Sequence, residues 1–149
     1  LTIGDDVYKL QQFHFHAPSE NEIDGHTYPL EGHFVYKTDN GKITVVSVLY
    51  NYGDENQALK QIWDKMPQAA NTETELPQPI SLDDFYPEDK DYYNFEGSLT
   101  TPPCTEGVNW IVFKNQETVS KEQVEKFTQT LGFENNRPIQ DTNGRQIKE

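Results

Sequence analysis

Three of the four histidines in this 149-residue chain lie in two short segments whose sequences alternate like β-strands. His14 and His16 are separated by one residue, and His33 follows Glu31 at the same spacing. Successive side chains of a strand point to opposite faces, so each pair is expected to project from one face. Two neighbouring strands could therefore bring three imidazoles around one point. Three imidazoles with an open fourth position are the ligand set of a catalytic zinc site.

A potential hydrogen-bond acceptor precedes two of these histidines. Gln12 lies two residues before His14, and Glu31 lies two residues before His33. A zinc-binding histidine usually donates its second ring N–H to a fixed acceptor, and residues two apart share a face of a strand. An isolated His-x-His pair more often decorates an exposed strand, but the repeated arrangement favours a metal site.

The elements that must position these residues are mainly strands. Alternating or β-branched patterns predict strands at residues 7–16, 28–37, 42–50 and 108–113, and Asp39-Asn40-Gly41 predicts a hairpin turn between the second and third. Residues 68–90 are rich in Pro, Asp and Thr and predict a loop with one short helical turn after Ser81.

Two segments have helical spacing. The first runs from Ala58 to Met66, with Asp54 as the expected N-cap and Pro67 after its end. The second follows a capping box formed by Ser120 and Gln123 and ends before Gly132. We therefore predict a mostly β (α+β) fold with a central, mainly antiparallel twisted sheet and a few peripheral helices.

The composition narrows the classes of function. The 25 acidic and 12 basic residues give a net charge of −13, which argues against nucleic acid and anionic membranes as partners. No run approaches the roughly 20 apolar residues that span a bilayer, and the length suits one domain. Cys104 is the only cysteine, so it is either a free thiol or half of a bridge to a partner elsewhere.

Longer motifs carry a family resemblance over almost the whole chain. In order they are FHFH at 13–16, Ser19-Glu20, EGH at 31–33, GSLTTPPC at 97–104, VNWIVF at 108–113, and the terminal NRPIQ and NGR. This collinear set resembles an α-class carbonic anhydrase of the bacterial type. The resemblance implies that fold as a single domain over 1–149, corresponding to the C-terminal two-thirds of the family's domain and lacking its usual N-terminal segment.

The resemblance also implies roles for the residues of the site. His14, His16 and His33 would hold Zn²⁺. Gln12 and Glu31 would accept hydrogen bonds from His14 and His33, and the backbone carbonyl of Asn143 would serve His16.

The remaining site residues would act on the reacting groups. Thr100 would accept a hydrogen bond from a zinc-bound hydroxide while donating its own proton to Glu20, and Thr101 would help to position substrate. An apolar wall would hold carbon dioxide; its members are Val35, Val45, Leu99, Val108 and Trp110.

The activity implied is the reversible hydration of carbon dioxide to bicarbonate and a proton. Sulfonamides or anions would inhibit at the zinc, a dimer is an expected assembly, and the location would be periplasmic or secreted in a bacterium. Two alternatives remain open. One is a carbonic-anhydrase-like zinc-binding domain with little turnover, and the other is a cupin-type metalloenzyme in which Glu20 would ligate the metal.

Overall fold

The computed structural model describes residues 1–149. Ten strands form in chain order: β1 (Thr2–Ile3), β2 (Asp6–Val7), β3 (Lys9–His16), β4 (Glu22–Ile23), β5 (His26–Thr27), β6 (Leu30–Lys37), β7 (Ile43–Tyr52), β8 (Tyr92–Ser98), β9 (Glu106–Phe113) and β10 (Glu117–Val119). The helices are α1 (Gln57–Trp63), a 3₁₀ helix (Leu82–Phe85) and α2 (Lys121–Leu131). No helix is both long and apolar enough to cross a membrane.

Six strands form the main sheet. Its order is β3-β6-β7-β9-β8, and β10 pairs with the end of β7. The pairs β3–β6, β6–β7 and β8–β9 are antiparallel, whereas β7 pairs in parallel with both β9 and β10. The predicted mainly antiparallel sheet with peripheral helices is confirmed, and the open sheet differs from the barrel that a cupin would require.

The register between β3 and β6 brings the histidines together. His14 lies directly opposite His33, and His16 lies opposite Glu31. Directly opposed residues of an antiparallel pair have Cβ atoms about 4.5–5.5 Å apart, so the three imidazoles share one face of the sheet. The antiparallel pairing of two eight-residue strands thus turns two local sequence motifs into one cluster.

The opposite face of β3 is anchored in an aromatic core. Phe13 and Phe15 alternate with the histidines, so they point to the other side of the sheet. There the ring of Phe15 meets Trp63 of α1 edge to face at 4.9 Å, and Trp63 stacks on Phe127 of α2 at 5.4 Å. Packing of the two helices against this face therefore holds β3 in place and leaves the histidines on the other face.

A buried polar network joins the two helices. The N-cap of α1 is Asn56, whose Oδ1 accepts a hydrogen bond from the Leu59 N–H, so the prediction of Asp54 is wrong. Asn56 and Gln123 also exchange two hydrogen bonds of 2.8 and 2.9 Å, and Trp63 Nε1 donates to the carbonyl of Gln123. Gln123 is shared with the capping box of α2, which is confirmed. This second role explains why Asn56 is the cap.

Strand β8 was not predicted from the sequence, where its end reads as a Pro-stiffened loop. It pairs with β9 along its whole length, and Gly97 lies opposite Val108. A Cβ atom on Gly97 would lie 2.9 Å from Cδ1 of Trp110, so only glycine lets this indole lie across the strand. β8 thus supports the apolar side of the site.

Candidate metal centre

The three histidines form one compact cluster. One ring nitrogen from each of His14, His16 and His33 lies within 4.8 Å of the other two. His16 and His33 are 3% and 1% exposed, while His14 is half-buried at the end nearer to solvent. The fourth histidine, His26, lies on the exposed β4–β5 hairpin against Tyr28 and is not part of the cluster.

Two of the imidazoles have an acceptor on the ring nitrogen that points away from the cluster. His14 Nδ1 lies 2.8 Å from Gln12 Oε1, as the sequence predicts, and His16 Nδ1 lies 2.8 Å from the backbone oxygen of Asn135. Both partners are oxygen acceptors, so Nδ1 carries the proton in each ring and Nε2 keeps its lone pair. The prediction of Asn143 is wrong, because Asn143 lies in an exposed turn with Gly144.

His33 presents its other nitrogen to the cluster. Its Nε2 lies 2.9 Å from Glu31 Oε1, although the ring N–H is not aligned for a straight hydrogen bond. Because Glu31 is an ionised acceptor only 2.9 Å away, we assign the ring proton of His33 to Nε2. His33 Nδ1 then faces the cluster, which offers two Nε2 atoms and one Nδ1 atom to a metal.

Glu31 is a fully buried carboxylate whose two oxygens are well satisfied. Oε2 accepts the backbone N–H groups of Glu20 and Asn21, and Oε1 accepts the Ser47 hydroxyl and the Asn21 side-chain amide. Burial alone would raise its pKa, but the neighbouring His33 and hydrogen bonds from Ser47 and Asn21 together lower the pKa of Glu31 to about 2. The acceptor behind His33 is therefore anionic.

Two of the imidazoles, His14 and His16, favour the neutral form that a metal requires. Burial, followed by the neighbouring charges of His33 and His16, lowers the pKa of His14 to about 4. Burial and the charge of His33 also lower the pKa of His16, despite the opposing effects of Asn135 and Glu20. Neutral imidazoles bind a cation without first losing a proton.

Glu20 differs from its predicted arrangement. Its Oε2 accepts the backbone N–H of Arg137, whereas its Oε1 lies 3.1 Å from His16 Nε2 and 3.8 Å from His33 Nδ1. No hydrogen bond joins Glu20 to Thr100, so the predicted relay contact is not present. Glu20 Oε1 therefore lies beside two ring nitrogens that carry lone pairs, and it has no hydrogen-bond partner.

The predicted apolar wall lies in a second cluster on the histidine face of the sheet. Trp110 meets His33 edge to face at 4.9 Å, and Val45 pairs with Trp110 across β7 and β9. Val45 and Val108 are buried, and Val35 and Leu99 pack against the cluster from its edge. These side chains exclude water from the inner side of the imidazoles.

A cavity of about 490 Å³ opens beside this wall. Glu20, Thr100 and Trp110 line it on the sheet side, and Arg137 lines it from the segment after α2. Of the residues predicted for the substrate pocket only Trp110 reaches this cavity, whereas the predicted catalytic residues Thr100 and Glu20 both line it. Thr101 is exposed on the loop beyond.

Four participants were not predicted for the site from the sequence. Ser47 could have been found, because it is the one polar residue in the apolar run 45–49, whereas Asn21 and Arg137 carry no local signal. Asn135, the fourth, lies 119 residues from His16 in the chain, so only the folded structure identifies it.

Comparison with known proteins agrees with this geometry. The sequence profile described as eukaryotic-type carbonic anhydrase matches residues 2–149. The chain is 48% identical over 149 residues to a carbonic anhydrase of Neisseria gonorrhoeae and 45% identical over 147 residues to one of Pectobacterium carotovorum. These matches cover 100% and 99% of the chain but 59% and 60% of the relatives, so the chain spans about 60% of their length.

A solved structure gives the same result. The α-carbonic anhydrase of Thermovibrio ammonificans, in complex with the inhibitor sulfanilamide, matches with a TM-score of 0.95 and 47% identity over 97% of this chain and 64% of that one. The cupin alternative is therefore wrong. The chain belongs to the eukaryotic-type, or α-class, carbonic anhydrase family.

Proposed function

We propose that this chain carries the zinc centre of a carbonic anhydrase and catalyses the reversible hydration of carbon dioxide to bicarbonate and a proton. The observation that carries the proposal is the convergence of three ring nitrogens within 4.8 Å. The chain belongs to a family of carbonic anhydrases, and its donor set consists of three imidazoles without a thiolate. Both facts favour zinc as the metal.

The donor set fits a zinc ion. His14 and His16 would bind through Nε2 and His33 through Nδ1, because the other nitrogen of each ring faces Gln12, Asn135 or Glu31. The buried Nε2 of His16 has no hydrogen-bond partner, as expected of a nitrogen reserved for a metal. A zinc ion held there would supply Lewis acidity, which makes a water acidic enough to act as a nucleophile near neutral pH.

The chain's own residues would orient the reacting groups. Thr100 and Glu20 line the same cavity, and Glu20 Oε1 has no hydrogen-bond partner, so it could accept the Thr100 hydroxyl. With its proton committed to Glu20, the Thr100 oxygen could then accept a hydrogen bond from the nucleophile and orient it. Trp110 and the valines beside it would keep the carbon dioxide side of the site dry.

A second candidate is a zinc-binding domain with little turnover. The specific observation in its favour is the lack of a hydrogen bond between Thr100 and Glu20, which leaves the orienting relay unformed. Both candidates require zinc, and they differ only in the rate of carbon dioxide hydration.

Stopped-flow measurement of carbon dioxide hydration, combined with metal analysis, tests the proposal. We expect one zinc per chain and activity above the buffer rate, with both lost in His33→Ala. The matched control is His26→Ala, which changes the histidine outside the cluster and should retain both. Zinc without turnover would support the second candidate, and a chain that binds no zinc would contradict both.

We also propose a sulfonamide-sensitive site, a dimeric assembly and a periplasmic or secreted location. The sulfanilamide complex of the Thermovibrio relative supports the first. The exposed apolar side chain of Val7 supports the second. The bacterial relatives support the third. Inhibitor titration, light scattering against the 17.2 kDa monomer mass and cell fractionation would test them in turn.

A further inference from the structure

Asn135 attaches to β3 at three points that bracket His16. Its side-chain Nδ2 donates to the Phe15 carbonyl at 2.9 Å, and its Oδ1 accepts the Ala17 N–H at 2.9 Å. Its backbone oxygen lies 2.8 Å from Nδ1 of His16 itself. Asn135 thus holds the backbone on both sides of His16 as well as the imidazole ring of His16 itself.

The two side-chain contacts imitate strand pairing. Among residues 1–149, β3 pairs with β6 on one side, and no strand pairs with its other side. An amide side chain carries one donor and one acceptor, like a peptide group, so it can satisfy the Phe15 carbonyl and the Ala17 N–H of a free edge. Asn135 therefore takes the place of a neighbouring strand at this point.

The same short segment also reaches Glu20. Two residues after Asn135, the backbone N–H of Arg137 donates to Glu20 Oε2. Residues 133–140 form no helix or strand, so contacts of this kind, rather than regular pairing, hold them against the sheet. A shift at Asn135 would therefore reach both His16 and Glu20.

We propose that Asn135 is a positioning residue whose side-chain amide holds its own carbonyl on His16 and thereby couples zinc binding to docking of residues 133–137. A metal on Nε2 of His16 requires the proton on Nδ1, the tautomer that donates to Asn135. Zinc therefore favours the docked segment, and by reciprocity the docked segment favours zinc. This inference rests on the proposed metal site.

Zinc affinity, measured by chelator competition, tests the coupling in two variants. We expect Asn135→Ala to weaken zinc binding about 10-fold, the lower end of the usual cost of losing a ligand's supporting contact. Asn135→Asp has the same shape but loses the donor to Phe15, so it should also weaken binding. The control is Asn136→Ala, a half-buried neighbour whose side chain makes no hydrogen bond.

Spectroscopy separates positioning from a general structural role. In ¹⁵N-edited NMR of the imidazoles, the His16 Nδ1–H signal should shift in both Asn135 variants while that of His14, bound to Gln12, stays in place. Zinc should also slow amide exchange at 135–137 in the parent but less in Asn135→Ala.

The outcomes distinguish the inference from the function on which it rests. A parent that binds no zinc contradicts the metal site and, with it, the coupling. A parent that binds zinc while both Asn135 variants bind within twofold of it, with the His16 signal unchanged, overturns the inference alone. If Asn135→Ala does not fold, the zinc affinity and the His16 signal of the isosteric Asn135→Asp variant provide the same test.

Discussion

Replacing Glu31 with glutamine should impose the wrong tautomer on a metal ligand while barely changing shape. The glutamine oxygen should take the position of Oε2, because the backbone N–H groups of Glu20 and Asn21 there cannot turn away. Its NH₂ group would then face Ser47, the Asn21 side chain and His33 Nε2. The Ser47 hydroxyl and the Asn21 amide can rotate, but His33 can accept only by moving its proton to Nδ1.

The magnitudes follow from this geometry. A proton on Nδ1 blocks the nitrogen that His33 presents to the metal, so zinc affinity should fall about 10–100-fold. Four hydrogen bonds lose a charged acceptor at about 1 kcal/mol each, and removal of a buried charge offsets part of that loss. We expect a net loss of about 2 kcal/mol in the free energy of unfolding, which for a chain of this size lowers Tm by about 4–8 °C.

Chelator competition measures the affinity, and thermal unfolding with EDTA measures the stability without metal. The matched control is Glu106→Gln, an exposed strand carboxylate without a hydrogen-bond partner, which should leave both unchanged. A folded Glu31→Gln protein with the zinc affinity of the parent would refute the role of Glu31 in setting the tautomer. An unchanged Tm would refute the energetic account of its hydrogen bonds.

Two further substitutions test other parts of the structure. Thr100→Ala should lower turnover about 100-fold with zinc retained, by loss of an orienting hydrogen bond; activity equal to that of an exposed Thr105→Ala control would remove Thr100 from the mechanism. Gln123→Leu should cost about 2–4 kcal/mol in urea unfolding, because the Asn56 backbone is left unpaired and buried. Glu125→Ala on the exposed side of α2 is its control, and equal stability of the two would show that the network is dispensable.

Local patterns in the sequence predicted much of this molecule. The histidines and the acceptors of His14 and His33 are recognisable because strand periodicity places residues two apart on one face. The hairpin at Gly41 and the capping box at Ser120 are likewise local chemistry, and both occur as predicted.

Features that depend on packing could not be predicted in the same way. Asn135 and Asn143 lie in similar Asn- and Arg-containing stretches, and only the return of the chain from α2 to the edge of β3 selects the first. Asp54 and Asn56 are both good N-caps, and the contact with Gln123 selects Asn56. Glu20 Oε2 accepts the Arg137 N–H from a segment more than 100 residues away, so no local pattern reveals the orientation of this carboxylate.

X-ray absorption at the zinc edge of the metal-loaded chain would show directly whether the three histidines bind zinc. We expect one zinc per chain, three imidazole nitrogens at about 2.0–2.1 Å and one further light-atom ligand. In His33→Ala the imidazole scattering should fall to two rings or the metal should be lost, while His26→Ala should match the parent. Fewer than three imidazoles in the parent, or Glu20 as a direct ligand shown by a spectrum that changes in Glu20→Gln, would contradict the account.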